Sequence, residues 1–212
     1  MTERSLPVVE PLLPVDDVDL SGVVGVVLAA GTSSRFGETN KLLTTVDGTT
    51  LVRRATKTLL DAGLEVLVIV GHEAPTVSDA IDDLDVTIVE NPTYEQGQST
   101  SVRWSLGAAT ARGATAVVFL PGDMPFVEPS SVERLIAAYL DGEGEALAVA
   151  YEGNRGNPVL FGSACFDALR AVEGDIGGRS VLLDRDDSAL VAVDDPGVRT
   201  DIDTQDALDA HR

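Results

Sequence analysis

The chain has 212 residues, of which 44% are hydrophobic and 24% charged, enough for one core-forming domain. Its formal net charge of −20 repels polyanions, which excludes nucleic acid and anionic membrane surfaces as partners. No run approaches the roughly 18 apolar residues of a membrane span, and the N-terminus lacks the basic-then-apolar pattern of a secretory leader, so a cytoplasmic protein is expected.

Lys41 and Lys57 are the only lysines. Excess acid with scarce lysine is similar to proteins of a high-salt cytoplasm, where screening offsets self-repulsion, so a halophilic protein is expected. The lone Cys165 rules out an intramolecular disulfide and reads as a buried thiol on a helix. Two scattered histidines, His72 and His211, offer no zinc spacing.

Residues 1–21 hold Pro7, Pro11 and Pro14 beside Asp16, Asp17 and Asp19, with no sustained period, and are expected to be a flexible extension. The remainder, 22–212, reads as one domain. Strands are predicted at Val23–Leu28, Glu65–Val70, Val86–Val89 and Ala116–Leu120. Helices are predicted at Thr50–Asp61, Ala74–Asp83, Ser99–Ala111 and Pro129–Leu140. Leu51, Ala55, Thr58 and Leu59 mark the core face of the first helix, and Ser99, Thr100 or Ser101 can cap the third. Strands at Ala146–Ala150 and Pro158–Phe161 flank a turn over Gly153–Gly156. Helices at Cys165–Ala171 and Gly178–Leu183, a strand at Leu190–Val193 and a helix at Thr204–His211 complete the chain. Trp104, mid-helix, is expected to be partly buried.

This alternation specifies an α/β fold: a Rossmann-like, mostly parallel sheet with helices on both faces. Ligands of such sheets bind beyond the strand carboxyl ends, where strand order reverses. If the strands at Val23–Leu28 and Ala116–Leu120 are neighbours there, the segments that follow them face one crevice.

The first of those segments runs Leu28, Ala29, Ala30, Gly31, Thr32, Ser33, Ser34, Arg35, Phe36, Gly37, then Lys41. Small residues let backbone N–H groups approach an anion, and Arg35 and Lys41 add charge, which suits a polyphosphate. The pattern is neither the dinucleotide fingerprint nor the Gly-Lys-Ser/Thr phosphate loop. The second segment, Pro121-Gly122-Asp123-Met124-Pro125, places a carboxylate at a strand end, suited to a hard cation. Asp201-Ile202-Asp203-Thr204 reads first as a helix cap. Asn91 through Gly97, Gln98 and Ser99 reads as either a capped helix start or an anion or base-edge site. Two loops, Gly153–Phe161 and Gly174–Arg179, each carry glycines and an arginine.

From Val23 to Ala210 these motifs resemble the MobA/MocA-like nucleotidyltransferases, which share the nucleotide-diphospho-sugar transferase-like fold, and most closely the molybdenum cofactor cytidylyltransferases. The resemblance implies that Leu28, Ala29, Ala30, Gly31, Ser33, Arg35 and Lys41 bind the nucleotide with Gly122. It implies that Asp123 and Asp203 hold Mg²⁺, with Arg35, Lys41 and Asp123 catalytic. Gly71 would lie beneath the nucleoside, Asn91 would meet ribose or base, and Gly97, Gln98 and Ser99 would read the base. Arg155, Gly156, Asn157, Pro158, Asp175, Gly178 and Arg179 would face the acceptor, although these relatives often carry His where this chain has Asn157. Guanylyl-transferring relatives typically read Leu-Ala-Gly-Gly in the first loop and Pro-Leu-Ala-Gly in the base segment. Ala30 and Gln98-Ser99-Thr100-Ser101 therefore favour CTP.

The implied reaction transfers a cytidylyl group from CTP to the phosphate of molybdopterin or molybdenum cofactor, with release of pyrophosphate and a molybdoenzyme as a downstream recipient. The alternatives are guanylyl transfer to the same cofactor, nucleotidyl transfer to another small phosphorylated metabolite, and a non-catalytic molybdopterin carrier. Joint retention of Lys41, Asp123 and Asp203 argues against the carrier.

Overall fold

The computed structural model describes residues 6–11, 19–32, 36, 39–174, 177–204 and 207–208. Its centre is β2 (Val23–Ala29), buried along nearly its whole length. β5 (Glu65–Val70) and β7 (Ala116–Pro121) flank it in parallel. Their continuous apolar sequences follow from coverage on both faces, which leaves no alternation with polar residues.

β6 (Thr87–Glu90) adds to β5, and the chain then crosses back to place β7 on the other side of β2. Strand order thus reverses between β2 and β7, as the two-motif reading requires. β8 (Ala146–Tyr151) and β10 (Ser188–Ala192) extend the sheet in parallel, while β9 (Asn154–Gly162) is antiparallel to β7 and β8. The sheet is mixed and mostly parallel, as predicted.

α1 (Leu51–Asp61) buries Leu51, Ala55, Thr58 and Leu59, the predicted face. Its buried hydroxyls are satisfied by backbone: Thr56 donates to the Val52 carbonyl at 2.7 Å and Thr58 to that of Val127 at 3.0 Å. α2 (Ala74–Asp79) is shorter than predicted. α3 (Gln98–Thr110) and α4 (Pro129–Leu140) follow the predicted spans closely, and α5 (Phe166–Ala171) and α6 (Arg179–Asp184) are single short helices. Two apolar clusters cover opposite sheet faces: Val27 and Ala29 belong to one, Val26 and Ala30 to the other.

Three readings need correction, and the structure adds one hairpin. Residues 6–9 of the expected extension are docked: β1 (Val8–Val9) pairs with β10, Leu6 is buried, and Leu190 N–H donates to the Pro7 carbonyl at 2.8 Å. Apolar Leu6, Val8 and Val9 satisfy a sheet edge, a long-range pairing that local periodicity does not reveal. The hairpin turn is at Glu152 and Gly153, both at positive φ, so Asn154, Arg155 and Gly156 are strand. A small hairpin, β3 (Thr45–Val46) and β4 (Thr49–Thr50), turns at Asp47-Gly48, a dipeptide suited to positive φ. Trp104 is 44% exposed, because it lies on the outer face of α3.

Candidate active site

β2 and β7 end side by side, and the Gly122 N–H donates to the Leu28 carbonyl at 3.0 Å, locking the two motif loops together. Over these ends opens a cavity of about 480 Å³ lined by Leu28, Ala30, Gly31, Lys41, Gly97, Gln98, Asp123 and Asp203, among others. Gly31 is exposed, and space is open where a Cβ would project. Ala29 is buried on the opposite sheet face, the consequence of strand alternation.

Lys41 enters from a 3₁₀ turn, Lys41–Leu43, capped by Asn40, whose Oδ1 accepts from the Leu42 N–H at 3.1 Å. Its Nζ lies 2.5 Å from Asp123 Oδ2 and 2.5 Å from Asp203 Oδ1. Asp203 arrives from the far end of the chain because the Ile202 N–H donates to the Asp123 carbonyl at 3.0 Å. The Ile202 side chain is fully buried beside Phe36, Val46, Leu51 and Leu208. That apolar anchor fixes the Asp201-Ile202-Asp203 segment. Thr204 caps as expected, accepting from the Ala207 N–H at 3.2 Å.

Burial is the largest influence on the Lys41 ammonium and would lower its pKa, yet Asp123 and Asp203 together raise it above the ordinary lysine value. Burial, followed by the Asp203 and Asp123 charges, raises the Asp201 carboxyl. Asp201 therefore belongs electrostatically to this group.

Among the described residues, no group of three or more His, Cys, Asp or Glu side chains is arranged to hold a metal by itself. Two carboxylates do suit Mg²⁺, which usually takes one or two protein carboxylates and completes its shell with phosphates and water. The Lys41 ammonium between Asp123 and Asp203 already shows that the pair accepts a cation.

Asn91 is fully buried. Its Nδ2 donates to Thr100 Oγ1 at 2.8 Å and Ser101 Oγ at 3.0 Å, and its Oδ1 accepts from Thr93 N–H and Oγ1, both at 3.0 Å. Every amide position is thereby used, so Asn91 holds the loop and does not meet ribose or base. Ser99 is likewise buried; its N–H donates to the Gly174 carbonyl at 3.0 Å, and its Oγ has no hydrogen-bond partner among the described residues. α3 is capped by no side chain: Gly97 is its N-cap, and Thr100 donates back to the Gly97 carbonyl at 2.8 Å. Gly71 is covered by Tyr94 and Ala30, whose Cβ atoms lie 2.8 and 2.9 Å from where a Gly71 Cβ would sit. It supports the cavity wall and does not face the cavity.

A second cavity, of about 530 Å³, adjoins the first and shares Leu28, Gln98 and Pro121 with it. Arg155, Asn157 and Arg179 line it over apolar Val102, Phe119, Val159, Phe161 and Leu182, with Gly177 and Gly178 at the edge. β9 explains the selection. Arg155, Asn157, Val159 and Phe161 share one face by the two-residue period, whereas Gly156 and Pro158 are buried. A Cβ at Gly156 would collide with the Val198 carbonyl, and one at Gly178 with the Phe161 ring. Gly156 and Pro158 are thus packing residues. Ser33, Arg35 and Asp175 lie outside the described residues, as do Gly37 and the rest of the predicted last helix beyond residues 207 and 208. Tyr94, a cavity-lining residue, was missed although it falls between two singled-out positions, Asn91 and Gly97.

Residues 25–200 match the MobA-like NTP transferase domain. The chain belongs to this family. Over 200 residues this MobA-like transferase is 28% identical to nicotine blue oxidoreductase of Paenarthrobacter nicotinovorans, covering 91% of this chain and 97% of that protein. Over 189 residues it is 27% identical to the molybdenum cofactor cytidylyltransferase of Escherichia coli, covering 88% and 94%. Among solved structures, a nucleotidyl transferase from Methanothermobacter superposes with a TM-score of 0.77 at 25% identity, covering 91% and 96%. Rv0371c from Mycobacterium tuberculosis in complex with manganese does so with 0.70 at 29% identity, covering 90% and 98%. The fold and the nucleotidyltransferase class are those expected from sequence, and transferases of this fold use divalent metals. Among the described residues, no helix is long and apolar enough to cross a membrane.

Proposed function

We propose that this transferase moves a cytidylyl group from CTP to the terminal phosphate of molybdopterin or its molybdenum-loaded form, with a molybdoenzyme as the recipient of the product. The observation that carries the reading is the pair of adjoining cavities. One is rimmed by Gly31, Lys41, Asp123 and Asp203, the other by Arg155, Asn157 and Arg179 over an apolar floor. The first suits a triphosphate; the second suits a flat ring system with an anionic tail.

In the proposed reaction an oxygen of the acceptor phosphate attacks the α-phosphorus of CTP. The bond from that phosphorus to the α–β bridging oxygen breaks, and pyrophosphate leaves with the electron pair. A phosphate nucleophile is already ionised at neutral pH, so no general base is needed. The chain's task is alignment and charge stabilisation. Lys41, kept protonated by its carboxylate neighbours, is a fixed point charge beside the phosphates. Arg35, which precedes Lys41 by six positions in sequence, would add a forked donor. Asp123 and Asp203 are the residues to hold Mg²⁺, which when bound supplies positive charge against the triphosphate.

The test is pyrophosphate release from each NTP with Mg²⁺, with and without molybdopterin. Release from CTP that requires molybdopterin is expected. Release from GTP would transfer the reading to guanylyl chemistry. No molybdopterin-dependent release from any NTP would sink the proposal.

A further inference from the structure

Tyr94 is a half-buried aromatic residue on the wall of the phosphate-side cavity. It opens a 3₁₀ turn, Tyr94–Gln96, in the loop between β6 and α3. Its Cβ and Cγ lie 2.8 and 2.9 Å from where a Gly71 Cβ would sit, and the Ala30 Cβ is 2.9 Å from the same point. Tyr94 therefore nests where any larger residue at position 71 would push it out. The His72 ring lies against it, 6.1 Å between centroids and tilted by 54°. Behind the turn, the four hydrogen bonds of Asn91 tie Thr93 to Thr100 and Ser101 at the start of α3. Such an enclosed, fully satisfied network around one backbone turn fixes the ring that the turn carries.

The cavity is lined by Lys41, Asp123 and Asp203, and by Tyr94, Glu95 and Gly97 from the loop that leads into α3, with Gln98 at the start of that helix. A nucleotide whose phosphates meet the charged group needs a flat, apolar surface for its base, and an aromatic face provides one for any base. Gln98 supplies amide groups beside it.

We propose that Tyr94 forms the wall against which the nucleobase packs, and that Gly71, Ala30 and the buried Asn91 network are positioning elements that hold this ring. The inference rests on the nucleotide reading of the cavity. It gives Ala30 an indirect part in base choice: residue 30 touches the space that sets where Tyr94 stands, so its size reaches the base through the ring.

Calorimetric titration of the full-length chain with CTP and, separately, with inorganic tripolyphosphate tests this without an acceptor. Tyr94→Leu is expected to bind CTP about tenfold more weakly and tripolyphosphate as the parent does. Tyr94→Phe is expected to bind both as the parent does. Gly71→Ala, which displaces the ring while leaving Tyr94 in the sequence, is expected to behave as Tyr94→Leu. Equal weakening of CTP and tripolyphosphate in Tyr94→Leu, or undiminished CTP binding in it, overturns the assignment. If the parent binds tripolyphosphate but CTP no more tightly, the base wall falls while the phosphate site stands. If it binds neither ligand, the nucleotide reading itself falls, and this inference with it.

Discussion

Lys41 and Asp123 stand 82 residues apart in sequence and meet at 2.5 Å in the lining of the first cavity. Each comes from a loop that follows a central strand, and the β2–β7 pairing places the loops side by side. Asp203 joins from 162 residues beyond Lys41. This three-residue contact is the electrostatic centre of the site.

Removing one of its members makes the first prediction. Asp123→Ala should lower molybdopterin-dependent pyrophosphate release by about 10²–10³, the usual cost of losing one well-placed electrostatic stabiliser. Circular dichroism should show the fold intact, since the Ile202 clip uses the Asp123 backbone and not its side chain. Turnover near that of the parent, with Mg²⁺ present, would show that Asp123 has no such role.

Neighbouring positions on β9 should separate function from packing. Arg155→Ala should raise the KM for the phosphorylated acceptor about tenfold while leaving that for CTP unchanged, as expected for the loss of a charge-assisted hydrogen bond. Gly156→Ala should instead destabilise the fold by about 1–3 kcal/mol, because its Cβ meets the Val198 carbonyl. Steady-state kinetics and urea denaturation of the two variants check the split. An unchanged acceptor KM in Arg155→Ala would remove it from the acceptor site.

Cys165 gives a pH prediction. Burial first, then the Glu145 and Asp187 charges against the opposing Arg185, push its thiol from 9.0 up to about 11. The folded chain keeps the proton that the unfolded chain gives up. Its contribution to stability is therefore complete below about pH 9 and is lost as pH rises toward 11. Urea midpoints measured across that window should fall more steeply for the parent than for Cys165→Ala. Parallel curves would contradict the burial effect. Iodoacetamide should leave the folded thiol unmodified at neutral pH.

The net charge of −20 gives a salt prediction. Multimolar KCl, which shortens the Debye length to roughly 3 Å at 1 M, should raise the melting temperature by weakening self-repulsion. A melting temperature indifferent to KCl from dilute buffer upward would remove the halophilic reading.

Local sequence carries much of this. Apolar runs such as Val23–Leu28 and Ala116–Leu120 can only be strands covered on both faces, because they leave no polar face for water. Alternation with amphipathic stretches such as Leu51–Asp61 then dictates a layered α/β fold. The small-residue loop after the first strand, with Lys41, and the strand-end carboxylate Asp123 read in sequence as the polyphosphate site proposed above, since small side chains and hard oxygens each suit few other tasks.

Other features depend on distant pieces of chain meeting, and no local period encodes them. Val8 and Val9 become a strand only because β10 presents an open edge. Asp203 reaches Lys41 because buried Ile202 pins its segment. Asn91 and Ser99 look like ligand-facing polar residues in sequence, yet the closing of the loop onto α3 buries them both. On β9 the two-residue period selects Arg155 and Asn157 for the cavity and turns Gly156 and Pro158 away, but the observed strand had first to include that stretch. Sequence by itself determined the elements and the small-residue, cationic character of the loop after β2, because those rest on the burial and flexibility of neighbouring residues. Only the tertiary structure decided which polar groups face the cavities, because that depends on strand register, buried anchors and which atoms are already hydrogen-bonded.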